Sequence, residues 1–220
     1  MTARIVFDLD GTLIDSVPDL QGIANALLRE QGCAPITLAE ARGFIGNGVK
    51  VFVQKMRRAR DIPDSEQEPL HAAFMERYRG AVTLTRPYPG VVDALDTLVA
   101  RGHALGICTN KPLEPTHAVL DHLGLARYFG CIYGGDSLPV HKPDPAPLTA
   151  AFAALGGGPG LYVGDSEVDA ETAVNADVPF LLFTEGYRKG PVAAMPHRLA
   201  FAEWTALPGL VADLLERSGA

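Results

Sequence analysis

Short apolar runs alternate with amphipathic stretches along most of the chain, and this alternation restricts the possible folds more than any other feature. The apolar runs have the length of buried strands and occupy residues 5–9, 104–109, 131–133, 161–163 and 178–183. The amphipathic stretches between them have the length and spacing of helices and occupy residues 91–101, 116–123, 148–155 and 169–176. Strand and helix in alternation predict a parallel sheet covered by helices on both faces, a Rossmann-like α/β fold.

One interval interrupts the alternation. Residues 16–83 carry no strand pattern, and helical patterns follow one another there at 20–31, 38–43, 49–59 and 66–79. A connection between a strand and a helix usually needs only a few loop residues. We therefore predict a catalytic core formed by residues 1–15 and 84–220, with an all-helical cap domain inserted at 16–83.

Polar residues follow several of the predicted strands, either where the strand ends or in the loop after it. In a parallel sheet the ligand lies outside the carboxyl ends of the strands, so these residues should meet at one edge. The residues concerned carry carboxylates, a hydroxyl, an amide and an ammonium group, and they are Asp8, Asp10, Thr109, Asn110, Lys142, Asp165 and Asp169.

Asp8 and Asp10 are two residues apart at the end of the first strand, and side chains at that spacing point the same way. Two such carboxylates repel by roughly 4 kcal/mol at ~4 Å when the effective dielectric constant is ~20. The pair therefore needs a cation or a shared proton. The alternative is an ordinary Asp-Gly turn, and Asp165 and Asp169 at a second strand end weigh against it.

Hard oxygen ligands without a neighbouring histidine or cysteine favour Mg²⁺. Asp8 and Asp165 would supply carboxylates, and the backbone carbonyl of Asp10 is a third candidate ligand. Lys142 can then neutralise a phosphoryl oxygen, and the hydroxyl of Thr109 can donate to another. The alternatives are a surface-loop role for Lys142 and a helix cap for Asp165.

The charge and composition of the chain restrict the classes of molecule that it can bind. The formal net charge of −7 makes nucleic acid and anionic membranes poor partners, but a small phosphorylated metabolite remains suitable. A basic cluster in a helical stretch, formed by Lys55, Arg57, Arg58 and Arg60, is interpreted as a solvated helix face. The chain could act as a monomer or as a homodimer.

The three cysteines are widely spaced and form no Cys-x-x-Cys pair, which is typical of a reducing compartment. No charged-then-apolar leader precedes the first strand, and no run is apolar enough over the length of a bilayer. We therefore expect a cytoplasmic protein.

At these positions the sequence resembles the phosphatase branch of the haloacid dehalogenase superfamily. The segment Phe7-Asp8-Leu9-Asp10-Gly11-Thr12-Leu13 is similar to its first motif, Thr109 to the second, Lys142-Pro143 to the third, and Gly164-Asp165 with Asp169 to the fourth. The resemblance implies that Asp8 is a nucleophile that forms an aspartyl-phosphate and that Asp10 is the acid and base. It also implies that Asp165 binds Mg²⁺ and that Asp169 steadies the water shell of the metal.

Within this superfamily the chain resembles the bacterial phosphoglycolate phosphatases most, through residues 109–111, 135–145 and 164–169. Gly46 and Asn47 belong to a segment, Gly46-Asn47-Gly48, that resembles the cap loop facing the active site in this group. The resemblance implies hydrolysis of 2-phosphoglycolate to glycolate and phosphate, with backbone amides of this loop receiving the small carboxylate. Arg42 and Lys50 could assist, although a surface role suits both of them.

Several alternative functions fit these residues to different degrees. A phosphatase for another small ester or for pyrophosphate would use the same motifs, and a sugar phosphomutase would also keep Asp10. A receiver-type switch would accept a phosphoryl group on aspartate but needs neither Asp10 nor the helical insertion. A dehalogenase would need neither Asp10 nor a metal, and a phosphonate-cleaving relative would lack the acid at position 10, so Asp10 argues against both.

Overall fold

The computed structural model describes residues 2–218. Its main sheet has six strands, all parallel, in the order β5-β4-β1-β6-β7-β8, and a separate pair is formed by β2 and β3. The strands are β1 (Arg4–Phe7), β2 (Ile14–Asp15), β3 (Arg86–Pro87), β4 (Ala104–Cys108), β5 (Cys131–Tyr133), β6 (Gly160–Gly164), β7 (Phe180–Phe183) and β8 (Leu199–Phe201).

Four helices lie between β2 and β3: α1 (Val17–Glu30), α2 (Leu38–Phe44), α3 (Gly48–Arg58) and α4 (Gln67–Tyr78). Five more follow: α5 (Val91–Ala100), α6 (Leu113–His122), α7 (Ala146–Ala154), α8 (Glu167–Asn175) and α9 (Leu207–Ser218). None of the helices within residues 2–218 is both long and apolar enough to cross a membrane.

The central strand β1 is buried on both faces, which explains its continuous apolar sequence. Ile5 and Phe7 point to one face, where they share a hydrophobic cluster with residues of α5, α6 and α9. Val6 points to the other face and packs in a cluster with residues of α7 and α8. The predicted parallel sheet with helices on both faces is confirmed.

The four helices between β2 and β3 bury a hydrophobic cluster of their own, which includes Leu27, Phe52 and Phe74. No strand occurs between residues 16 and 83, as predicted. We refer to this part as the helical insert. Its treatment as a separate cap domain, with boundaries at 16 and 83, stays a prediction.

The two chain segments that join the insert to the sheet are held together. β2 pairs with β3 in antiparallel register, with Ile14 opposite Pro87. Buried Asp19, in the first turn of α1, accepts hydrogen bonds from the Leu84 amide at 3.1 Å and from the amide and hydroxyl of Thr85, both at 2.7 Å. The entry and exit of the insert are therefore fixed to each other.

The interpretation of the basic cluster as a solvated helix face is wrong for Arg57. Its side chain is buried, donates to the carbonyl of Ile62 at 2.6 Å and to Gln67 at 3.2 Å, and pairs with Asp64. A long guanidinium side chain can cover apolar surface while its head satisfies backbone carbonyls, so charge density alone did not indicate exposure.

Candidate active site

The carboxyl ends of β4, β1 and β6 lie side by side because these three strands are neighbours in the sheet. Asp8, Thr109 and Asp165 each follow one of them directly, and all three are buried. The backbone holds them there, since the Asp8 amide donates to the Val163 carbonyl at 2.8 Å. The sheet thus brings two carboxylates and a hydroxyl to one edge, as predicted.

The turn after Asp8 requires a glycine. Gly11 has a φ of +93°, and a Cβ atom there would lie 2.5 Å from Oδ2 of Asp165. The next residue, Thr12, donates its hydroxyl to Oδ1 of Asp165 at 2.7 Å. The first motif therefore curls against the fourth, and this contact fixes the orientation of Asp165.

Lys142 lies between two of the carboxylates and is itself buried. Its Nζ donates to Asp8 at 2.7 Å, to Asp169 at 2.6 Å and to the hydroxyl of Tyr162 at 2.8 Å. Burial by itself would lower the pKa of Lys142, but the charges of Asp169 and Asp8 outweigh it and raise that pKa. Lys142 is therefore a fully charged ammonium with all three donors used.

Asp169 fixes this lysine and also the start of α8. Its Oδ2 accepts from the amide and hydroxyl of Ser166, at 3.1 and 2.6 Å, and forms a capping box. Burial alone would raise the pKa of Asp169, but the adjacent Lys142 holds that pKa below its usual value. Asp169 stays ionised and keeps Lys142 in place.

Asp8, Asp165 and Asp169 offer carboxylate oxygens that lie within 4.8 Å of one another. Burial, followed by the charge of Asp169, raises the pKa of Asp165 well above its usual value. The pKa of Asp8 rises to about 7, mainly through burial and against the opposing effect of Lys142. Such crowding of buried carboxylates suits a divalent cation, and an all-oxygen donor set is the type that Mg²⁺ prefers.

Asp10 is set apart from these three carboxylates. Its Oδ1 accepts from the hydroxyl of Ser16 at 2.6 Å, and the ammonium of Lys111 lies 3.3 Å from Oδ1 and 3.5 Å from Oδ2. Its carboxylate therefore lies between the start of the helical insert and the loop that follows β4.

A cavity separates this sheet edge from the helical insert. Seven of the predicted site residues line it: Asp8, Asp10, Gly46, Thr109, Asn110, Lys142 and Asp165. The insert contributes mainly apolar side chains, among them Leu20, Val49, Phe52, Phe74 and, with its hydroxyl, Tyr78. Asn47 and Asp169 are not among the lining residues within the described part of the chain. The strand-end residues and one glycine of the predicted cap loop therefore share one site.

The family model described as haloacid dehalogenase-like hydrolase matches residues 5–183, which include the sheet edge and the insert. The chain belongs to this family. Its haloacid dehalogenase-like relatives include the phosphoglycolate phosphatase of Cereibacter sphaeroides (strain ATCC 17029 / ATH 2.4.9), 50% identical over 214 residues, with 96% of this chain and 98% of that protein covered. The phosphoglycolate phosphatase of Rhodobacter capsulatus is 43% identical over 213 residues, with 96% and 97% covered.

Solved structures of haloacid dehalogenase-like proteins agree with this assignment. The crystal structure of a predicted phosphoglycolate phosphatase from Haemophilus somnus 129PT has a TM-score of 0.88 and 30% identity, and covers 96% of this chain and 98% of that one. CbbY from Rhodobacter sphaeroides, solved in complex with phosphate, shares the fold with a TM-score of 0.79 at 21% identity, with 94% and 96% covered. Family and relatives together make this haloacid dehalogenase-like chain a phosphatase.

Asn110 connects three parts of the haloacid dehalogenase-like site. Its side-chain amide donates to the Gly46 carbonyl at 3.1 Å, in the insert, and to the Lys142 carbonyl at 3.0 Å, in the loop that follows β5. Its substrate-binding role stays a prediction, as does that of Gly46 and Asn47.

Lys50 is exposed and pairs with Glu68 at 2.8 Å, while Arg42 is exposed and lies over the ring of Tyr187.

Sequence reasoning assigned no role to several residues that shape the site. Tyr187, after β7, donates its amide to Asp165 at 2.5 Å and its hydroxyl to Asp15 at 2.7 Å. Lys189 reaches from the same segment to the Ile45 carbonyl at 3.3 Å. Their position after the end of another parallel strand was the available signal. No such signal in the sequence indicated the contact of Tyr78 with Lys111, because one residue lies in the insert and the other follows β4.

Proposed function

We propose that the chain is a Mg²⁺-dependent phosphatase that hydrolyses 2-phosphoglycolate to glycolate and phosphate through an aspartyl-phosphate on Asp8. The observation that carries the proposal is the position of Asp8. It is buried at the sheet edge, bonded to charged Lys142 and grouped with Asp165, and it faces a cavity closed on the far side by the helical insert. The names of the relatives at 43–50% identity support the substrate.

The buried carboxylates fit the metal. When bound, Mg²⁺ would be held by Asp8, Asp165 and the backbone carbonyl of Asp10, and would neutralise charge on the phosphoryl oxygens. Both carboxylate oxygens of Asp169 already accept hydrogen bonds from Lys142, Tyr162 and Ser166. Asp169 therefore positions Lys142 and is not one of the residues that would bind the metal directly.

Lys142 and Thr109 are the phosphoryl-binding groups of this proposal. The ammonium of Lys142 already contacts Asp8, so a phosphoryl group transferred to Asp8 would lie within its reach. The Thr109 hydroxyl oxygen accepts from the Lys111 amide at 3.2 Å, which leaves its own hydrogen free to donate to a phosphoryl oxygen.

In the first step an oxygen of Asp8 forms a bond to phosphorus while the bond from phosphorus to the ester oxygen breaks. The leaving oxygen takes its proton from Asp10, and free glycolate results. In the second step Asp10 accepts a proton from water, the water oxygen attacks phosphorus, and the bond between Asp8 and phosphorus breaks. Phosphate leaves, and both carboxyl groups return to their starting state.

The decisive experiment measures phosphate release from 2-phosphoglycolate, several sugar phosphates and pyrophosphate, with Mg²⁺ and with chelator. We expect kcat/KM for 2-phosphoglycolate to exceed the others by at least about a hundredfold and to vanish with chelator and in Asp8→Asn. Asp93→Asn, an exposed aspartate in the first turn of α5, is the matched control and should retain full activity.

Acid quenching during turnover tests the covalent step. We expect labelled phosphate on the wild-type protein and on Asp93→Asn, and none on Asp8→Asn. A flat substrate profile that still needs Mg²⁺ and Asp8 would remove the substrate from the proposal and leave the chemistry intact. Turnover by Asp8→Asn at the wild-type rate would contradict the mechanism.

A further inference from the structure

Lys111 is buried in the leaving-group half of the cavity, which the helical insert lines mainly with apolar side chains. Its side chain is only 3% exposed. The ammonium lies 4.3 Å from the ring centroid of Tyr78 and also contacts the Tyr78 hydroxyl. Leu20, Phe52 and Phe74 line the cavity on the same side as Tyr78. A buried ammonium in such surroundings needs a strong anionic partner.

The charged partner that the structure gives Lys111 is poorly placed. Asp10 lies at 3.3 and 3.5 Å, longer than the 2.7–2.9 Å typical of a charge-assisted hydrogen bond. Asp10 also has a closer donor in Ser16, at 2.6 Å. Lys142 is different, since its three donors reach three acceptors at 2.6–2.8 Å. Lys111 therefore keeps capacity for an anion beside Asp10.

The location of that capacity indicates which part of a substrate it would meet. Asp10 is the proposed acid, so the ester oxygen of a bound substrate lies next to its carboxylate. In a 2-phospho acid only one methylene group separates the ester oxygen from the carboxyl carbon. A carboxylate attached there would lie beside the ammonium of Lys111 and the hydroxyl of Tyr78.

We propose that Lys111 binds the carboxylate of the leaving group, with Tyr78 holding its ammonium, and so selects short acidic phosphomonoesters. This inference rests on the proposed function and names the residue that recognises its substrate. Because Tyr78 ends α4 of the insert and Lys111 follows β4 of the sheet, the carboxylate site is complete only when the insert lies against the sheet edge. Lys189, at the rim and bonded to the Ile45 carbonyl, is the competing cation.

The test compares two substrates of similar shape, 2-phosphoglycolate and its neutral carboxamide, in wild type, Lys111→Met and Lys189→Met. In Lys111→Met we expect kcat/KM for the acid to fall by about a hundredfold or more, because a desolvated charge loses its partner, while the value for the amide changes by less than about threefold. Arg58→Met, which removes an exposed cation of the insert, should keep the wild-type ratio of the two values.

An equal fall for both substrates in Lys111→Met would overturn the proposal, since it would mean that Lys111 acts only through Asp10 or the fold. A selective loss in Lys189→Met without one in Lys111→Met would also overturn it. The wild-type arm tests the proposed function separately, because no preference for the acid over the amide would reject the substrate itself.

Tyr78→Phe keeps the inference testable if Lys111→Met does not fold. This variant retains the ring and loses only the hydroxyl that contacts Lys111. We expect a loss of about three- to tenfold for the acid and none for the amide. An unchanged ratio in Tyr78→Phe together with an unfolded Lys111→Met would overturn the proposal.

Discussion

At the level of single residues, Lys142 separates two buried carboxylates that would otherwise repel each other. Replacing it with methionine leaves Asp8 and Asp169 buried without their counter-charge. We expect Lys142→Met to lower the free energy of unfolding by about 3–5 kcal/mol near pH 8 without metal. Urea unfolding measures this change, and Lys50→Met, whose lysine is exposed, should cost at most about 1 kcal/mol.

The deficit of Lys142→Met should shrink as the pH falls. Without the lysine, burial raises the pKa of Asp8 and Asp169 in the folded state above their unfolded values. An acid with a raised folded-state pKa is most compatible with folding below its unfolded pKa, and that stability is lost as pH rises through the folded pKa. A deficit that is constant between pH 5 and pH 8 would contradict this account.

Gly11 provides a second test at this scale because the chain contains a matched glycine. Gly11→Ala would place a Cβ at φ +93°, 2.5 Å from Asp165 and 2.6 Å from the ring of Tyr187. We expect a loss of about 1–3 kcal/mol in unfolding free energy and a large loss of activity. Gly22→Ala, within α1 and with no heavy atom inside 4 Å of the new Cβ, should be stabilising by roughly 0.5–1 kcal/mol. Equal effects in thermal or urea unfolding would be the contrary result.

At the level of elements, the connection between the insert and the sheet depends on Asp19. Asp19→Ala removes the acceptor for the amides of Leu84 and Thr85 and leaves them unsatisfied near a buried position. We expect faster amide hydrogen exchange at residues 84–85 and a loss of about 1–3 kcal/mol in stability. Asp93→Ala on the exposed face of α5 is the control, and unchanged exchange in Asp19→Ala would contradict a role for these bonds.

Elements with a strong hydrophobic pattern could be predicted from the sequence, and those with a weak one could not. The five apolar runs correspond to β1, β4, β5, β6 and β7, and the four helical patterns of residues 16–83 correspond to α1–α4. Strand β8 was missed, and so were β2 and β3, whose two residues each are too few to show a period. Helix α9 was not predicted either, although it packs Val211 into the core.

The same contrast applies to the site. The strand-end rule placed Asp8, Thr109 and Asp165 at one edge because parallel strands must end together. It said nothing of Thr12 on Asp165 or of Tyr78 on Lys111. These contacts depend on how a loop curls and where the insert docks, and neither leaves a periodic signal in the sequence.

At the level of the whole molecule, the chain keeps three carboxylates at a buried site, and the protonation of Asp8 would link the proposed metal binding to pH. The pKa of Asp8 is raised to about 7 by burial, so below pH 7 this carboxyl is mainly protonated in the metal-free protein. A cation that binds its oxygen must displace the proton. We therefore expect Mg²⁺ binding to release protons near pH 7 and its affinity to fall as the pH drops from 8 to 6.

Calorimetric titration of Mg²⁺ in buffers of different ionisation enthalpy measures the number of protons released. The thermal stabilisation by a fixed Mg²⁺ concentration should follow the same pH dependence, since a ligand stabilises the folded state according to its affinity. In Asp8→Asn the residue at position 8 cannot titrate, so proton release should be smaller than in wild type. Mg²⁺ affinity that is independent of pH between 6 and 8 in the wild type would mean that the cation binds away from Asp8.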